Sequence, residues 1–278
     1  MKKMAKFISI VLIMAISISV AACSKSDVSD KVQNNKLQMI KDKGKLVVGT
    51  SPAYPPFEFV IGKGGKSEVV GADIDLSKKI AEKLGVELEI STMDFDTIIP
   101  SLNSGKIDIA VTGMTPTEER KKSVDFSDIY FEGVNSVVVN ESFKGDIKNE
   151  SDLKNLKIGV QKGSTQEIYA KEILKAEKVK SLNTVLDLVM DMKNGNLDAV
   201  IMSDIVAKIN KKQTSGIKII ENIELKGDQS SETAAVALKK GDNEELLKEI
   251  NSVIKELKDS GEYDKILNKN IDTASKVH

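Results

Sequence analysis

Arg120 closes a short segment whose residue types are suited to binding a carboxylate. The segment runs from Thr112 through Gly113 and Thr115, and it directly follows an apolar run, Ile107 to Val111, that reads as a buried strand. A guanidinium pairs with both oxygens of a carboxylate, a glycine lets the backbone approach closely, and a threonine adds a hydroxyl. Arg120 is the only arginine among 41 basic residues. The segment therefore predicts an anion site; the alternative is a capped helix start that carries a surface arginine.

Asp204 stands in the corresponding place after a second apolar run, Leu197 to Met202. A carboxylate at the end of a buried strand can accept hydrogen bonds from an ammonium group. The other interpretation is that Asp204 caps the helix that begins at Ile205, and the two interpretations are compatible.

A third candidate is the segment Gly163-Ser164-Thr165-Gln166, between the apolar run Leu156 to Val160 and a helix pattern. Its amides and hydroxyls can hold a carboxylate at the start of that helix. Lys162 precedes it, but the residue order of a phosphate-binding loop is absent, so nucleotide binding is rejected.

Aromatic residues are scarce, with four Tyr, seven Phe and no Trp. Tyr54 and Phe95 lie beside predicted strand ends, where a flat ring can form one wall of a ligand site. Phe57 and Phe59 are predicted to pack inward as core residues.

The composition excludes several kinds of site. Cys23 is the only cysteine and His278 the only histidine, which removes disulfide frameworks, Cys/His zinc sites and histidine-dependent nucleophilic catalysis. The 41 basic and 42 acidic residues are interspersed, so no nucleic-acid partner is expected. We expect no metal and no cofactor.

The amino terminus predicts a leader rather than part of the fold. Lys2, Lys3 and Lys6 precede an apolar run that ends in Val20-Ala21-Ala22-Cys23, which resembles a bacterial lipobox. Residues 1–22 are therefore predicted to be a signal peptide, with Cys23 carrying a lipid. Residues 23–36 are polar and turn-rich and predict a flexible tether. The alternative is an uncleaved signal anchor.

Strand and helix patterns alternate along the rest of the chain, which predicts an α/β fold. Leu76, Ile80 and Leu84 recur at helical spacing, with Asp73 and Asp75 expected as caps. Further helices are predicted from Asn183 to Gly195 and from Asp242 to Gly261. Ser104 to Ala110 echoes Asn194 to Val200, which favours two similar lobes, although many α/β proteins repeat such patterns. Ligands of open α/β sheets bind at the carboxyl ends of the strands, where all the candidate segments lie.

From about Lys45 to Ile266 the chain resembles the polar amino-acid group of solute-binding proteins, family 3, that serve ABC importers. The segments that carry the resemblance are Val48-Gly49-Thr50, Tyr54 to Phe59, Gly71 to Leu76, Ile99 to Leu102, Thr117 to Arg120 and Asp125-Phe126-Ser127.

The resemblance implies a role for each candidate residue. The residue matching Arg120 binds the ligand α-carboxylate, together with those matching Gly113, Thr115 and Thr165. Asp204 is expected to bind the α-ammonium, while Tyr54 and Phe95 enclose the side chain. The remaining ligand-binding candidates are Thr112, Gln161, Ser164 and Gln166, and the specificity candidates are Ser51 and Ser203. Members that bind basic amino acids often carry an acid where Ser51 stands, which counts against a basic ligand. The expected ligand is a polar amino acid, and glutamine, arginine, histidine and cystine are not ranked.

The resemblance also implies a two-lobe architecture of the periplasmic-binding-protein type (type II), with a ligand cleft and a two-strand hinge. Lobe I would comprise 37–137 and 232–278, and lobe II 138–231. The expected protein is a lipid-anchored monomer on the extracellular face of the cell membrane, of Gram-positive type, that passes a polar amino acid to an importer permease. The alternatives are a dehydratase on a similar frame and an amino-acid sensor or adhesin.

Overall fold

A computed structural model describes residues 35–221, 223, 225–226 and 231–277. The predicted signal peptide, Cys23 and most of the predicted tether lie outside these residues. The first described helix begins at Lys36 and is capped by the Asn35 side chain, which accepts from the Leu37 amide. The last two residues of the predicted tether therefore belong to the folded part. Within the described ranges, no helix is both long enough and apolar enough to span a membrane.

The α-helices of the described chain are α1 (Lys36–Lys43), α2 (Ala72–Leu84), α3 (Ile98–Ser104), α4 (Glu118–Lys121), α5 (Thr165–Ile168), α6 (Val185–Lys193), α7 (Asp204–Gln213), α8 (Glu244–Asp259) and α9 (Glu262–Ala274). Short 3-10 helices span Phe95–Thr97 and Glu150–Leu153, and a π-helix spans Tyr169–Ile173. The strands are β1 (Lys45–Thr50), β2 (Ala53–Tyr54), β3 (Glu58–Lys63), β4 (Lys66–Val70), β5 (Glu87–Thr92), β6 (Ile109–Ala110), β7 (Val124–Asn140), β8 (Lys157–Gln161), β9 (Lys178–Leu182), β10 (Ala199–Ser203), β11 (Ile217–Ile219) and β12 (Ser231–Lys239).

The main strands follow the order β5-β1-β6-β12-β7-β10-β8-β9, with β11 also paired to β7. The long strand β7 joins two halves, because it pairs with β12 up to Val134 and with β10 from Asn135 onward. We call the half with β5, β1, β6 and β12 lobe I, and the half with β10, β8, β9 and β11 lobe II. Parallel pairing of β1 with β5 and β6, and of β8 with β9 and β10, gives each lobe the predicted α/β arrangement.

Each lobe has a hydrophobic core of its own. The lobe I core contains Leu76, Ile80 and Leu84 of α2, as their spacing predicts, together with apolar residues of α8. The lobe II core includes Leu153, Ile158 and Val160. A further cluster, with Leu188 and Val189 of α6, also contains Tyr54 and Phe57 of lobe I and so joins the two lobes. Because burial of one such side chain contributes about 1.5 to 3 kcal/mol, each lobe has an independent source of stability.

Asp73 is not the helix cap that the sequence predicts. It lies inside the first turn of α2 with no exposed surface, and its Oδ2 accepts hydrogen bonds from the Gly113 amide (2.7 Å) and the Tyr130 hydroxyl (2.8 Å). The N-cap is Gly71, where a Cβ would lie 2.0 Å from the Phe57 carbonyl oxygen. Tertiary packing, rather than helix capping, therefore determines the role of Asp73.

Candidate functional site

The Arg120 guanidinium is buried at the cleft between the lobes. The Thr117 side chain caps α4 and accepts from the Arg120 amide at 3.2 Å, which fixes where the side chain starts. Its Nη1 donates to the Thr115 carbonyl oxygen at 2.8 Å, and Nη2 donates to the Gly163 carbonyl oxygen of lobe II at 2.9 Å. Only 9% of the residue is exposed, so Arg120 is not the surface arginine of the alternative interpretation.

The positive charge of Arg120 has no anionic partner among the described residues. Burial lowers its pKa to about 10, so the guanidinium stays charged at neutral pH. The Phe95 ring lies 5.3 Å from the guanidinium carbon and offers a cation–π contact. Two neutral carbonyls and one ring stabilise a buried cation less than a carboxylate would, which makes Arg120 suited to binding an anionic ligand.

Around Arg120 lies a small cavity of about 20 Å³. That volume holds about one water molecule, so a larger ligand requires the walls to move apart. Its walls come from both lobes and include all the predicted ligand-binding residues except Asp204: Tyr54, Phe95, Thr112, Gly113, Thr115, Arg120, Gln161, Ser164, Thr165 and Gln166. Ser51, Ser203 and Asp204 are not among its lining residues.

On the lobe I wall, several predicted donors already have partners inside the protein. The Thr112 hydroxyl accepts from the Ser51 amide (3.0 Å) and donates to Glu58 Oε1 (2.8 Å). The Thr115 hydroxyl donates to the Thr233 carbonyl oxygen at 2.8 Å, and the Gly113 amide donates to Asp73. These groups therefore hold the shape of the wall in the present conformation.

The lobe II wall is built around the start of α5. The Ser164 hydroxyl donates to the Gln161 carbonyl oxygen (2.6 Å) and accepts from the Glu167 amide, so Ser164 is the helix cap. Gln166 Nε2 donates to Asn135 Oδ1 of β7 at 2.7 Å, and Gln161 Nε2 donates to the Asn183 carbonyl oxygen at 3.1 Å. Both amide side chains are thereby fixed at the cleft.

Asp204 is the first residue of α7, directly after Ser203. Its Oδ1 accepts from the Ser136 hydroxyl at 2.8 Å, and its Oδ2 forms an ion pair with Lys208 at 2.6 Å. Lys208 is 66% exposed, so this is a weak surface pair that a ligand ammonium could replace.

Two acids of the cavity wall, Glu58 and Glu232, were missed by the sequence prediction. Both are at least 97% buried, because Glu58 is 1% and Glu232 3% exposed. Glu232 Oε1 accepts from the Tyr54 hydroxyl at 2.9 Å. The sequence does contain an indication of their burial, because Glu58 lies between Phe57 and Phe59, and Glu232 directly precedes the apolar run Thr233 to Leu238. No group of three possible metal-binding residues occurs in the part of the chain that the structure describes.

Further contacts join the lobes beside the cavity. Lys162 of lobe II forms an ion pair with Asp96 of lobe I at 2.9 Å, and Asn183 Nδ2 donates to Asp94 Oδ2 at 2.9 Å. Together with the Arg120–Gly163 hydrogen bond, these contacts describe a closed cleft.

A family model described as bacterial extracellular solute-binding proteins, family 3, matches residues 46–273. An arginine-binding extracellular protein of Bacillus subtilis is 35% identical over 268 residues, which cover 96% of this chain and 98% of that one. The L-cystine-binding protein of Escherichia coli K12 is 30% identical over 250 residues, covering 90% and 89%.

Among solved structures, an amino acid ABC transporter substrate-binding protein of Streptococcus pneumoniae bound to L-arginine superimposes with a TM-score of 0.80. It is 40% identical, and the match covers 86% of this chain and 98% of that one.

Proposed function

Because the chain belongs to the bacterial extracellular solute-binding proteins of family 3, we propose that it captures a polar amino acid outside the cell and delivers it to an ABC importer permease. The matched relatives are named for binding arginine and cystine, and both are free amino acids. The family and these relatives are binding proteins, which supports a role without catalysis.

The observation that carries this proposal is the buried Arg120 guanidinium without an anionic partner in the described ranges. A ligand α-carboxylate would accept two parallel hydrogen bonds from it and replace the Gly163 carbonyl as acceptor. Asp204 would bind the α-ammonium in place of Lys208. A zwitterion held in this way links a residue of lobe I to a residue of lobe II.

Binding would thus favour closure of the lobes. We propose the lobe boundaries 37–137 with 232–278, and 138–231, on the support of the pairing change of β7 at Asn135. Strands β7 and β12 then form the hinge. Closure excludes water, which strengthens the two charged contacts, and it gives the permease a shape that differs from the open form.

A thermal-shift panel of the twenty amino acids with cystine, ornithine and citrulline tests the proposal. A ligand that binds only the folded state raises the melting temperature, by an amount that grows with its concentration over Kd. We expect polar amino acids to raise it and sugars to leave it unchanged. A chain that responds to no free amino acid would refute the proposal, and loss of labelled amino-acid uptake on deletion of the gene would support delivery to an importer.

We also propose that Cys23 carries a lipid that anchors a monomer to the extracellular face of the membrane. The support is the run of small residues before Cys23 and the extracellular family of the chain. Mass spectrometry of the mature protein should find a lipidated Cys23 as its first residue. An unmodified Met1 would refute the anchor.

A further inference from the structure

Glu232 is a buried acid that lines the ligand cavity. None of the contacts described above requires its carboxyl group to be charged. It lies in β12 opposite Gly133 of β7, next to the point where β7 changes lobes. The cavity that it lines is the one that also contains Arg120 and Tyr54.

Only one of its two carboxylate oxygens is hydrogen-bonded. Oε1 accepts from the Tyr54 hydroxyl, whereas Oε2 is buried with no partner at hydrogen-bond distance among the described residues. The Ser203 hydroxyl, which is also buried and unpaired there, lies near enough to lower the pKa of the carboxyl. A buried acceptor left unpaired is destabilising, and more so when it is charged. Holding the Tyr54 hydroxyl needs one oxygen only, which a glutamine would also supply, so a purely structural role does not explain the second oxygen.

The surroundings of Glu232 are acidic rather than basic. It forms no ion pair among the described residues, and burial raises its pKa to about 7, with the charges of Asp73 and Asp204 adding to the effect. A cation placed beside Oε2 would supply both the missing donor and the missing charge.

Glu58, the other acid of the wall, is less suited to this role. Its Oε1 accepts from the Thr112 hydroxyl, and its Oε2, like that of Glu232, has no hydrogen-bond partner among the described residues. Glu58 differs in lying beside the buried Asp73, and burial, followed by the charge of Asp73, raises its pKa well above the ordinary value.

We propose that the Glu232 carboxylate binds the cationic end of the ligand side chain, so that the site selects a basic amino acid. This inference rests on the proposed function, in which Arg120 and Asp204 already bind the two ends of the amino-acid backbone. Glu232 would then supply the acid that is lacking at Ser51, from a different strand.

Calorimetric titration with arginine and citrulline tests the proposal, because citrulline replaces the guanidinium by a neutral group of nearly the same shape. The wild-type protein should bind arginine roughly 10- to 100-fold more tightly than citrulline. Glu232→Gln should weaken arginine binding, leave citrulline binding unchanged and bring the ratio near one. Glu132→Gln is the matched control, since it removes an exposed carboxylate from the neighbouring strand without altering the cavity.

A second measurement uses the wild-type protein alone. The groups that face Glu232 are Tyr54, Asp73 and Asp204, with Glu58 and Arg120 elsewhere on the same cavity. If a cation ionises Glu232, arginine binding near pH 7 should release a fraction of a proton, whereas citrulline should release none. Titrations in buffers of different ionisation enthalpy measure this difference.

The outcomes separate the two proposals. An unchanged arginine-to-citrulline ratio in Glu232→Gln, or equal proton release by the two ligands, overturns the role of Glu232. Wild-type binding of citrulline or glutamine as tight as that of arginine overturns basic selectivity and leaves amino-acid capture intact. Failure of every amino acid to bind a folded protein overturns the proposed function and this inference with it.

Discussion

The Arg120 guanidinium crosses the cleft to lobe II, where its Nη2 donates to the Gly163 carbonyl oxygen 2.9 Å away. Arg120 belongs to α4 of lobe I, and Gly163 follows β8 of lobe II. One side chain therefore holds the two lobes together and also presents the buried positive charge of the cavity. Ligand binding and lobe closure depend on the same group.

Gly163 allows the lobes to approach closely, so a substitution that adds a side chain at this position should weaken ligand binding. Its φ is +77°, and an added Cβ would lie 3.0 Å from the Asp96 Cβ across the cleft. We expect Gly163→Ala to lower ligand affinity roughly tenfold, because overpacking costs about 1 to 3 kcal/mol. Calorimetry with the best ligand of the panel measures the change.

Gly195→Ala is the control for backbone strain. Gly195 has a φ of +78°, and no packing neighbour from the described part of the chain lies within 4 Å of its added Cβ. Both variants should lose about 1 to 2 kcal/mol of stability from the left-handed backbone, but only Gly163→Ala should bind more weakly. Equal affinities in the two variants would contradict the closure contact.

Asp204 is expected to bind the ligand ammonium. Asp204→Asn removes the charge with little change in size and should raise Kd roughly 10- to 100-fold, as expected for a hydrogen bond to a charged group. Lys208→Gln removes only the exposed partner of Asp204, worth less than about 1 kcal/mol, and should leave Kd nearly unchanged. If Asp204→Asn bound as tightly as Lys208→Gln, the ammonium would bind elsewhere.

Glu232 should make the stability of the ligand-free protein depend on pH. Its pKa is raised from 4.5 to about 7 in the folded protein, so between these values the folded state holds more protons than the unfolded state. The free energy of unfolding therefore falls as pH rises through this range, by on the order of 2 kcal/mol from this group.

Glu232→Gln cannot titrate and should gain stability relative to wild type between pH 4.5 and pH 8. Thermal unfolding of both proteins at the two pH values gives the difference, in which Asp73 and the other shared acids cancel. Glu132→Gln should show no such trend, because its side chain is exposed. If the stability difference between Glu232→Gln and wild type were the same at both pH values, the pKa of Glu232 would not be raised in the folded protein.

The sequence predicted buried strands well where both faces are apolar. The run Leu46 to Gly49 lies within β1, and the helix expected from Asn183 to Gly195 is α6, Val185–Lys193, two residues shorter at each end. β7 begins at Val124, whereas the apolar run that marks it in the sequence, Val137 to Val139, lies near its end. Its first part mixes buried, partly exposed and exposed residues, with polar residues between the apolar ones.

The cavity wall was predicted less completely. Ten of the predicted ligand-binding residues could be placed on the cavity wall from the sequence, because hydroxyls, glycines and one arginine follow strand ends. Glu58 and Glu232 could not, because an acid beside a strand is usually solvated, and only tertiary packing shows that these two are buried. Asp73 was misread as a cap for the same reason.

The most direct test of the account is the affinity of Arg120→Ala for the best amino-acid ligand, measured by calorimetry beside Lys121→Ala. Losing the guanidinium leaves a ligand carboxylate buried without its partner, which costs about 3 to 5 kcal/mol, so Kd should rise roughly a hundred- to several-thousand-fold. Lys121→Ala changes an exposed neighbour and should bind as wild type does. Wild-type affinity in Arg120→Ala would contradict the assignment of Arg120 as the carboxylate-binding residue.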